Sequence, residues 1–201
     1  MSGFYPGGVL GDRYRIVREL GQGGFGRTYL AEDINRFNEP CVLKEFVPQV
    51  TGAAALKKAE ELFEREAKVL YQLQHPQIPR LRELFRVNLG GQGHLFLVQD
   101  YVEGPTYQAL LNARQHQGLN FSEWEVIQLL RQLLPVLQYI HGMGVIHRDI
   151  APDNLILRNQ DQLPVLIDFG GVKQVATTVA QQLKPAGYNS NPGITRLGKV
   201  G

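Results

Sequence analysis

The stretch His147-Arg148-Asp149-Ile150-Ala151-Pro152-Asp153-Asn154 decides the fold of this chain. It places an aspartate and, five residues later, an asparagine directly before the short apolar run Leu155–Leu157. A second short apolar run, Val165–Ile167, leads into Asp168-Phe169-Gly170. Two apolar runs joined by a polar turn predict a β-hairpin that carries polar residues at its open end.

The register of that hairpin determines which polar side chains meet. We expect Leu155 to lie opposite Ile167, and this antiparallel register would also place Asn154 opposite Asp168. Two hard oxygen ligands side by side can hold Mg²⁺ against phosphate oxygens. Asp149 would stand in the same mouth, where it can accept a proton from an attacking hydroxyl. A polar turn without chemistry is the alternative, although the two motifs in this order favour the site.

The glycine string Gly21-Gln22-Gly23-Gly24-Phe25-Gly26 indicates a second phosphate-binding element. A dinucleotide-binding fold needs a helix directly after such glycines, but Arg27–Glu32 has the pattern of a strand. The string is therefore expected to join two strands. A glycine-rich hairpin can lie over a triphosphate because its backbone N–H groups approach the oxygens closely. An ordinary glycine-rich turn is the alternative.

Lys44 lies inside the apolar run Cys41–Phe46, where strand alternation points it inward. A buried ammonium needs an anionic partner. Glu66, on the helical stretch that follows, is one candidate partner, and phosphate oxygens are another. In the alternative interpretation Lys44 is a solvated surface lysine and Glu66 pairs locally with Lys68 or Arg65.

Periodicity divides the chain into a strand-rich first half and a helix-led second half, which predicts two lobes that meet near residues 101–104. Ser122 and Glu125 form a capping-box signature for a long helix, which Pro135 should kink or deprive of a hydrogen bond. Residues 1–12 indicate a flexible lead-in, and the chain after residue 173 has the composition of a long loop. The predicted strands span 14–20, 27–32, 41–46, 81–87, 94–101, 155–157 and 165–167, and the predicted helices span 53–73, 106–116 and 122–142.

The composition of the 201 residues is that of an ordinary globular domain, with 43% hydrophobic and 20% charged residues. This balance disfavours disorder, and a net charge of +2 without a long run of one sign disfavours a basic nucleic-acid-binding face. Cys41 is alone, so an internal disulfide is excluded. Neither a membrane segment nor a secretory signal is evident. We therefore expect a cytoplasmic protein.

Taken together, the motifs resemble the protein kinase family, in the eukaryotic-like serine/threonine form found in bacteria, over about residues 13–184. The resemblance implies an α+β, two-lobed fold: an N-lobe (13–101) with an antiparallel sheet and one long helix, and a helical, incomplete C-lobe (102–201). It also implies transfer of the ATP γ-phosphate, with Mg²⁺, to a serine or threonine hydroxyl of a protein whose identity the sequence does not specify.

The motif positions of the family imply three groups of site residues in this chain. In the first group Asp149 would orient and deprotonate the substrate hydroxyl, and Lys44, paired with Glu66, would bind the α- and β-phosphates. The second group would contact the nucleotide, and the third would hold magnesium. The implied catalytic residues are Asp149, Lys44 and Glu66; the implied ATP-binding residues are Gly21, Gly23, Gly24, Gly26, Lys44, Asp100, Val102, Asn154 and Asp168; and the implied magnesium ligands are Asn154 and Asp168.

Two further expectations follow from the resemblance. A column of stacked side chains would link the lobes, and Arg148 would pair with a phosphate on a loop hydroxyl. The column consists of Leu70, Leu81, His147 and Phe169, and the candidate hydroxyls belong to Thr177, Thr178, Ser190 and Thr195.

The chain also departs from the family pattern. Ala151 stands where serine/threonine members usually have a lysine that contacts the transferring phosphate, Thr28 replaces a valine, and Gln99 is polar at the back of the nucleotide pocket. No Ala-Pro-Glu motif follows Asp168-Phe169-Gly170. We therefore expect the chain to end inside the activation segment, to leave apolar surface on the helix at 122–142 uncovered, and to be poorly stable alone.

These departures leave an alternative function open. A nucleotide-binding, pseudokinase-like regulatory scaffold is favoured by Ala151 and the missing helices, and it is disfavoured by the complete set of charged motif residues. A kinase of small molecules is a third possibility, which Arg148 and the long loop disfavour because both suit protein substrates.

Overall fold

The computed structural model describes residues 4–23, 26–48, 50–89 and 91–175, which form a sheet-rich lobe and a helix-led lobe. The predicted α+β, two-lobed architecture is confirmed. The strands are β1 (Val9–Leu10), β2 (Tyr14–Gly23), β3 (Gly26–Asp33), β4 (Glu39–Phe46), β5 (Leu81–Leu89), β6 (Gln92–Asp100), β7 (Val145–Ile146), β8 (Leu155–Leu157), β9 (Pro164–Leu166) and β10 (Lys173–Gln174), and the α-helices are α1 (Ala53–Gln72), α2 (Tyr107–Gln115) and α3 (Glu123–Gly142).

The N-lobe sheet is antiparallel throughout, in the order β1-β2-β3-β4-β6-β5. Tyr29 and Ala31 of β3 alternate with less buried neighbours and are fully buried on one face, whereas β4 and β6 contain unbroken buried runs. The sheet has one strand more than the sequence indicated, because Val9–Leu10 of the predicted flexible lead-in pairs with β2. Burial of Leu10, which is 3% exposed, holds this short strand in place.

Helix α3 begins with the predicted capping box, in which Ser122 and Glu125 bond each other's backbone. The helix continues through Pro135 to Gly142. One side of α3 packs into the core, whereas apolar side chains on another side are exposed, which confirms the expected uncovered surface. The buried residues are Leu133, Val136 and Ile140, and the exposed ones are Trp124, Val126, Ile127, Leu130 and Leu134. Poor stability of the chain alone stays a prediction.

The β8–β9 hairpin has a different register from the predicted one. Leu155 lies opposite Leu166, not Ile167, so Ile167 is opposite Asn154 and donates its N–H to the Asn154 carbonyl at 2.9 Å. The turn sets this register, because the Arg158 N–H donates to the Leu163 carbonyl at 3.0 Å and thereby fixes the loop length. Asp168 is consequently one residue beyond the position opposed to Asn154.

A second pairing also differs from the sequence interpretation. Lys173–Gln174, at the start of the predicted long loop, forms β10 and pairs antiparallel with β7. This pairing fastens the segment after Asp168 to the segment before His147.

One apolar core spans both lobes and includes residues of α1, β6, α3, β8 and β9. The predicted column lies in this core: Leu70 and Phe169 are buried, Leu81 packs against the cluster, and the ring of His147 stacks edge-on against Phe169 at 4.8 Å between centroids. Helix α1 and the segment around Asp168 therefore pack next to each other in this core. None of the helices in the described ranges is long and apolar enough to cross a membrane.

Candidate active site

Lys44 is the centre of an ion-pair cluster between the lobes. Strand alternation on β4 buries Leu43 completely on one face and turns Lys44 to the other. There Lys44 Nζ donates to Glu66 Oε1 at 2.8 Å and to Asp168 Oδ1 at 2.7 Å. The predicted pairing with Glu66 is therefore observed in place of the local partners Lys68 and Arg65.

Burial and charge act in opposite directions on these three groups. Burial lowers the pKa of Lys44, but the carboxylates of Glu66 and Asp168 outweigh it, so the pKa of Lys44 is raised. Burial raises the pKa of Glu66, whose side chain is 1% exposed. Burial also acts on Asp168, but the ammonium of Lys44 outweighs it and lowers the pKa of this carboxyl. Of the two carboxylates that bind Lys44, Asp168 is therefore the one whose ionised form is favoured.

Asp149 and Asn154 are held together by the turn that separates them. The backbone N–H of Asn154 donates to the Ala151 carbonyl at 2.9 Å and closes a single 3₁₀ turn over Pro152–Asn154. The side-chain Nδ2 of Asn154 then donates to Asp149 Oδ2 at 3.0 Å and to the Asp149 carbonyl at 2.9 Å. The carboxylate of Asp149 is thereby oriented with its other oxygen, Oδ1, outside this bond.

Asn154 and Asp168 each have one side-chain oxygen of the chemical type that a hard cation prefers. Within the described part of the chain, Asn154 uses its Nδ2 for hydrogen bonds and Asp168 uses its Oδ1, so Asn154 Oδ1 and Asp168 Oδ2 carry none. The Asp168 side chain is 44% exposed. Mg²⁺ is usually held by one or two protein ligands together with phosphate oxygens and water. The described residues contain no group of three His, Cys, Asp or Glu side chains that could hold a metal ion.

Two non-glycine residues next to the site have left-handed backbones. Arg148 has φ 67° and Asp168 has φ 58°. Such conformations cost free energy and persist only where the surroundings enforce them. Arg148 is held by its Nε, which donates to the Gly171 carbonyl at 2.7 Å, and Asp168 accepts the Gly170 N–H at 3.2 Å. The Arg148 bond thus braces the segment that carries Asp149 against the segment after Asp168, whereas the Asp168 bond stabilises its own turn.

The glycine string forms the predicted hairpin between β2 and β3, with Gly23 opposite Gly26. At Gly26, φ is +148° and a Cβ atom would lie 1.8 Å from the Glu45 carbonyl oxygen, so only glycine fits. At Gly21 a Cβ atom would meet nothing within 4 Å. The first glycine is therefore not demanded by packing, whereas the last one is. Gly24 lies outside the described residues.

Two arginines of the N-lobe bind the start of the segment that connects the lobes. Asp100 ends β6, and its carboxylate accepts from Arg80 Nε at 3.1 Å and from Arg82 Nε at 2.9 Å. The backbone N–H of Asp100 donates to the Arg80 carbonyl at 3.0 Å. A polar contact from the Asp100 backbone to a ligand must therefore come from its carbonyl oxygen. Val102, two residues on, is half-buried.

Comparison with known proteins agrees with this geometry. Residues 14–191 match the family model described as the protein kinase domain. The chain belongs to the protein kinase family. Its relatives include the "Serine/threonine-protein kinase-like protein E" of Synechocystis sp., 47% identical over 160 residues, and the "Serine/threonine-protein kinase PknA" of Nostoc sp., 44% identical over 174 residues.

The kinase domain is shorter than these relatives. The matches cover 80% and 85% of this chain but only 25% and 29% of the relatives' own lengths. The "Probable serine/threonine-protein kinase YbdM" of Bacillus subtilis is 34% identical over 178 residues, which are 89% of this chain and 64% of that protein. Members of the family use ATP and Mg²⁺ and act on protein substrates.

The structure brings Lys44 into contact with both Glu66 and Asp168 and joins Asp149 to Asn154. Two contacts of the kinase domain escaped the sequence interpretation. The first is the bond from Lys44 to Asp168, for which only phosphate oxygens had been considered as the second partner. The second is made by Gln77 after α1, whose side-chain Nε2 donates to the Pro164 carbonyl at 2.8 Å, and its only signal in the sequence is a glutamine next to the helix-ending His75-Pro76. The hydroxyl candidates Thr177, Thr178, Ser190 and Thr195 lie outside the described residues.

Proposed function

We propose that this kinase domain transfers the γ-phosphate of ATP to a serine or threonine hydroxyl of a protein. The observation that carries the proposal is the cluster in which Lys44 Nζ binds both Glu66 and Asp168. It holds a cation and an ionised carboxylate at adjacent points, as a triphosphate with its metal requires. The preference for serine and threonine rests on the names of the relatives.

Four groups of residues would bind the nucleotide. The backbone of the β2–β3 hairpin, with Gly21, Gly23, Gly24 and Gly26, would cover the phosphates, and Lys44 would contact the α- and β-phosphates. The Asp100 carbonyl and the Val102 backbone would bond the adenine edge. Asn154 Oδ1 and Asp168 Oδ2 would hold Mg²⁺, which supplies neutralisation of charge on the phosphate oxygens.

Asp149 would act on the substrate hydroxyl. Its carboxylate would accept the hydroxyl proton as the hydroxyl oxygen forms its bond to the γ-phosphorus and the bond from phosphorus to the leaving oxygen of ADP breaks. The bond from Asn154 Nδ2 to Asp149 Oδ2 would keep Asp149 Oδ1 turned toward the hydroxyl. Positioning and charge neutralisation would supply most of the acceleration. A domain with this need for ATP would work in the cytoplasm.

Incorporation of γ-labelled phosphate into a mixed protein substrate by the full chain tests this function. Asp149→Asn should lower incorporation by at least about a hundredfold, because it removes the proton acceptor. Asp153→Asn removes an exposed carboxylate from the same turn and is the matched control, with incorporation within about twofold of the unchanged chain. Equal incorporation by Asp149→Asn and Asp153→Asn would contradict the role of Asp149.

A second function is favoured by one observation, the alanine at position 151. Without a cation at this position the domain could bind nucleotide and signal by conformation alone. Binding of Mg·ATP to the full chain with no phosphate transfer to any substrate tested, including the chain itself, would support this regulatory function over catalysis.

A further inference from the structure

Gln77 is a buried polar residue in the segment between α1 and β5. Its residue exposure is 9%, and its neighbours Leu73 and Ile78 are buried apolar residues of the core that spans both lobes. Packing alone would favour another apolar side chain in this position. The amide therefore needs an explanation in its hydrogen bonds.

The side-chain amide of Gln77 reaches two elements of the C-lobe. Nε2 donates to the Pro164 carbonyl of β9 at 2.8 Å and to the Gln132 carbonyl of α3 at 3.2 Å. The backbone carbonyl of Gln77 accepts the Leu166 N–H of β9 at 2.9 Å. One residue thus makes three hydrogen bonds that join the end of the N-lobe helix to a strand and a helix of the other lobe.

The elements joined in this way are those that carry the two carboxylates of the Lys44 cluster. Glu66 lies on α1, and the segment with Gln77 follows directly after α1 ends at Gln72. Leu166 ends β9, and Asp168 comes two residues later. The distance of Glu66 from Asp168, and hence the ability of one ammonium to bind both, depends on how α1 is held against β9.

We infer that Gln77 is a positioning residue that keeps Glu66 and Asp168 within reach of Lys44. This inference rests on the proposed phosphotransferase function. The two donated bonds fix the segment after α1 at a single place on β9 and α3, because the planar amide must satisfy both carbonyls at once. A side chain of the same size without donors would fill the space but leave α1 free to shift relative to Asp168.

A double-mutant cycle separates this role from a merely structural one. Gln77→Met keeps the volume and removes both donors, and we expect it to lower kcat of the full chain about tenfold. In a Glu66→Gln background the same substitution should lower kcat less than twofold, because the cluster is already disturbed. An equal loss in both backgrounds would overturn the inference. Gln74→Met, an exposed glutamine in the same segment, is the matched control and should change kcat less than twofold.

Nucleotide binding keeps the inference testable if the proposed function fails. When the unmutated chain binds a fluorescent ADP analogue with Mg²⁺ but transfers no phosphate, the proposed function fails alone. Gln77→Met should then weaken Mg²⁺-dependent ADP binding about fivefold and Gln74→Met should not. Equal binding by the two variants would overturn the positioning role. If Gln77→Met does not melt cooperatively, Gln77→Leu, which also lacks both donors and has a shorter side chain, takes its place with the same expected directions.

Discussion

Lys44 Nζ lies 2.7 Å from Asp168 Oδ1, although the two residues are 124 positions apart in the chain. The same ammonium lies 2.8 Å from Glu66 Oε1. A strand, a helix and the segment after a second strand are therefore tied at one point between the lobes. Substitutions at this point should therefore change both the stability of the fold and the rate of phosphate transfer. The two effects can be separated by the choice of substitution.

Lys44→Met should affect activity and stability together. Loss of the ammonium removes the contact to the phosphates and should lower phosphate transfer by about 10²–10³-fold. It also leaves Glu66 buried without its partner, which should lower the free energy of unfolding by about 3 kcal/mol. Urea denaturation and phosphate incorporation measure the two effects, with the exposed Lys58→Met on α1 as the control.

The double variant Lys44→Met/Glu66→Leu should recover most of the lost stability but none of the activity, because the buried charge has then been removed as well. Recovery of activity in this double variant would contradict the assigned role of Lys44.

Alanine at two glycines of the β2–β3 hairpin should have opposite consequences. Gly26→Ala places a Cβ atom 1.8 Å from the Glu45 carbonyl oxygen in a strained backbone, so the free energy of unfolding should fall by at least about 2 kcal/mol. In Gly21→Ala the added Cβ atom meets nothing within 4 Å, so the free energy of unfolding should change by less than about 0.5 kcal/mol. Thermal or urea melts of the two variants check the difference. Similar melts would show that the close approach at Gly26 is relieved by a shift of β4.

The capping box of α3 should stabilise the fold by an amount that decreases as the pH becomes acidic. The hydrogen bond from Arg114, followed by those from Ser122, lowers the pKa of Glu125 from 4.5 to about 2. Because the folded pKa is lowered, the stabilisation is present above pH 4.5 and is lost as the pH falls from 4.5 toward about 2. Melting temperatures across this window should therefore fall less steeply for Glu125→Gln than for the unchanged chain. Glu123→Gln, in the same helical turn, should keep the original slope, and equal slopes for all three chains would refute the prediction.

Ala151→Lys should restore a cation to the loop between Asp149 and Asn154. A positioned cation near the transferring phosphate is expected to raise kcat by about tenfold, with KM for ATP within about twofold, because the charge that it meets develops during transfer. Steady-state kinetics of the full chain measure both constants. Ala151→Met controls for side-chain length, and an increase in kcat with methionine as well would rule out a charge effect.

Much of the site could be predicted from the chain because its residues stand in short motifs of fixed spacing. Asp149 and Asn154 are five residues apart, and one 3₁₀ turn between them is enough to bring their side chains together. The capping box of α3 was evident for the same reason. Local contacts of this kind depend on a few backbone angles, which the residues in the motif largely set.

The hairpin that carries Asp168 shows where such prediction stops. Apolar runs indicated two strands, but the run at 165–167 fits registers that differ by one residue, and the observed pairing of Leu155 with Leu166 follows from the closure of the turn between Arg158 and Leu163. The strand at Val9–Leu10 was missed in a similar way, since two residues have no period that a pattern could reveal.

The sequence by itself determined the family, the longer strands and the helices of both lobes and the identity of the charged residues, because each depends on residue types at short, fixed spacings. Only the tertiary structure decided that Lys44 binds Asp168 as well as Glu66, and that Gln77 joins α1 to β9 and α3. These contacts join residues that are 55 to 124 positions apart. Their partners are selected by how the two lobes pack around one shared core, which no local pattern of the chain encodes.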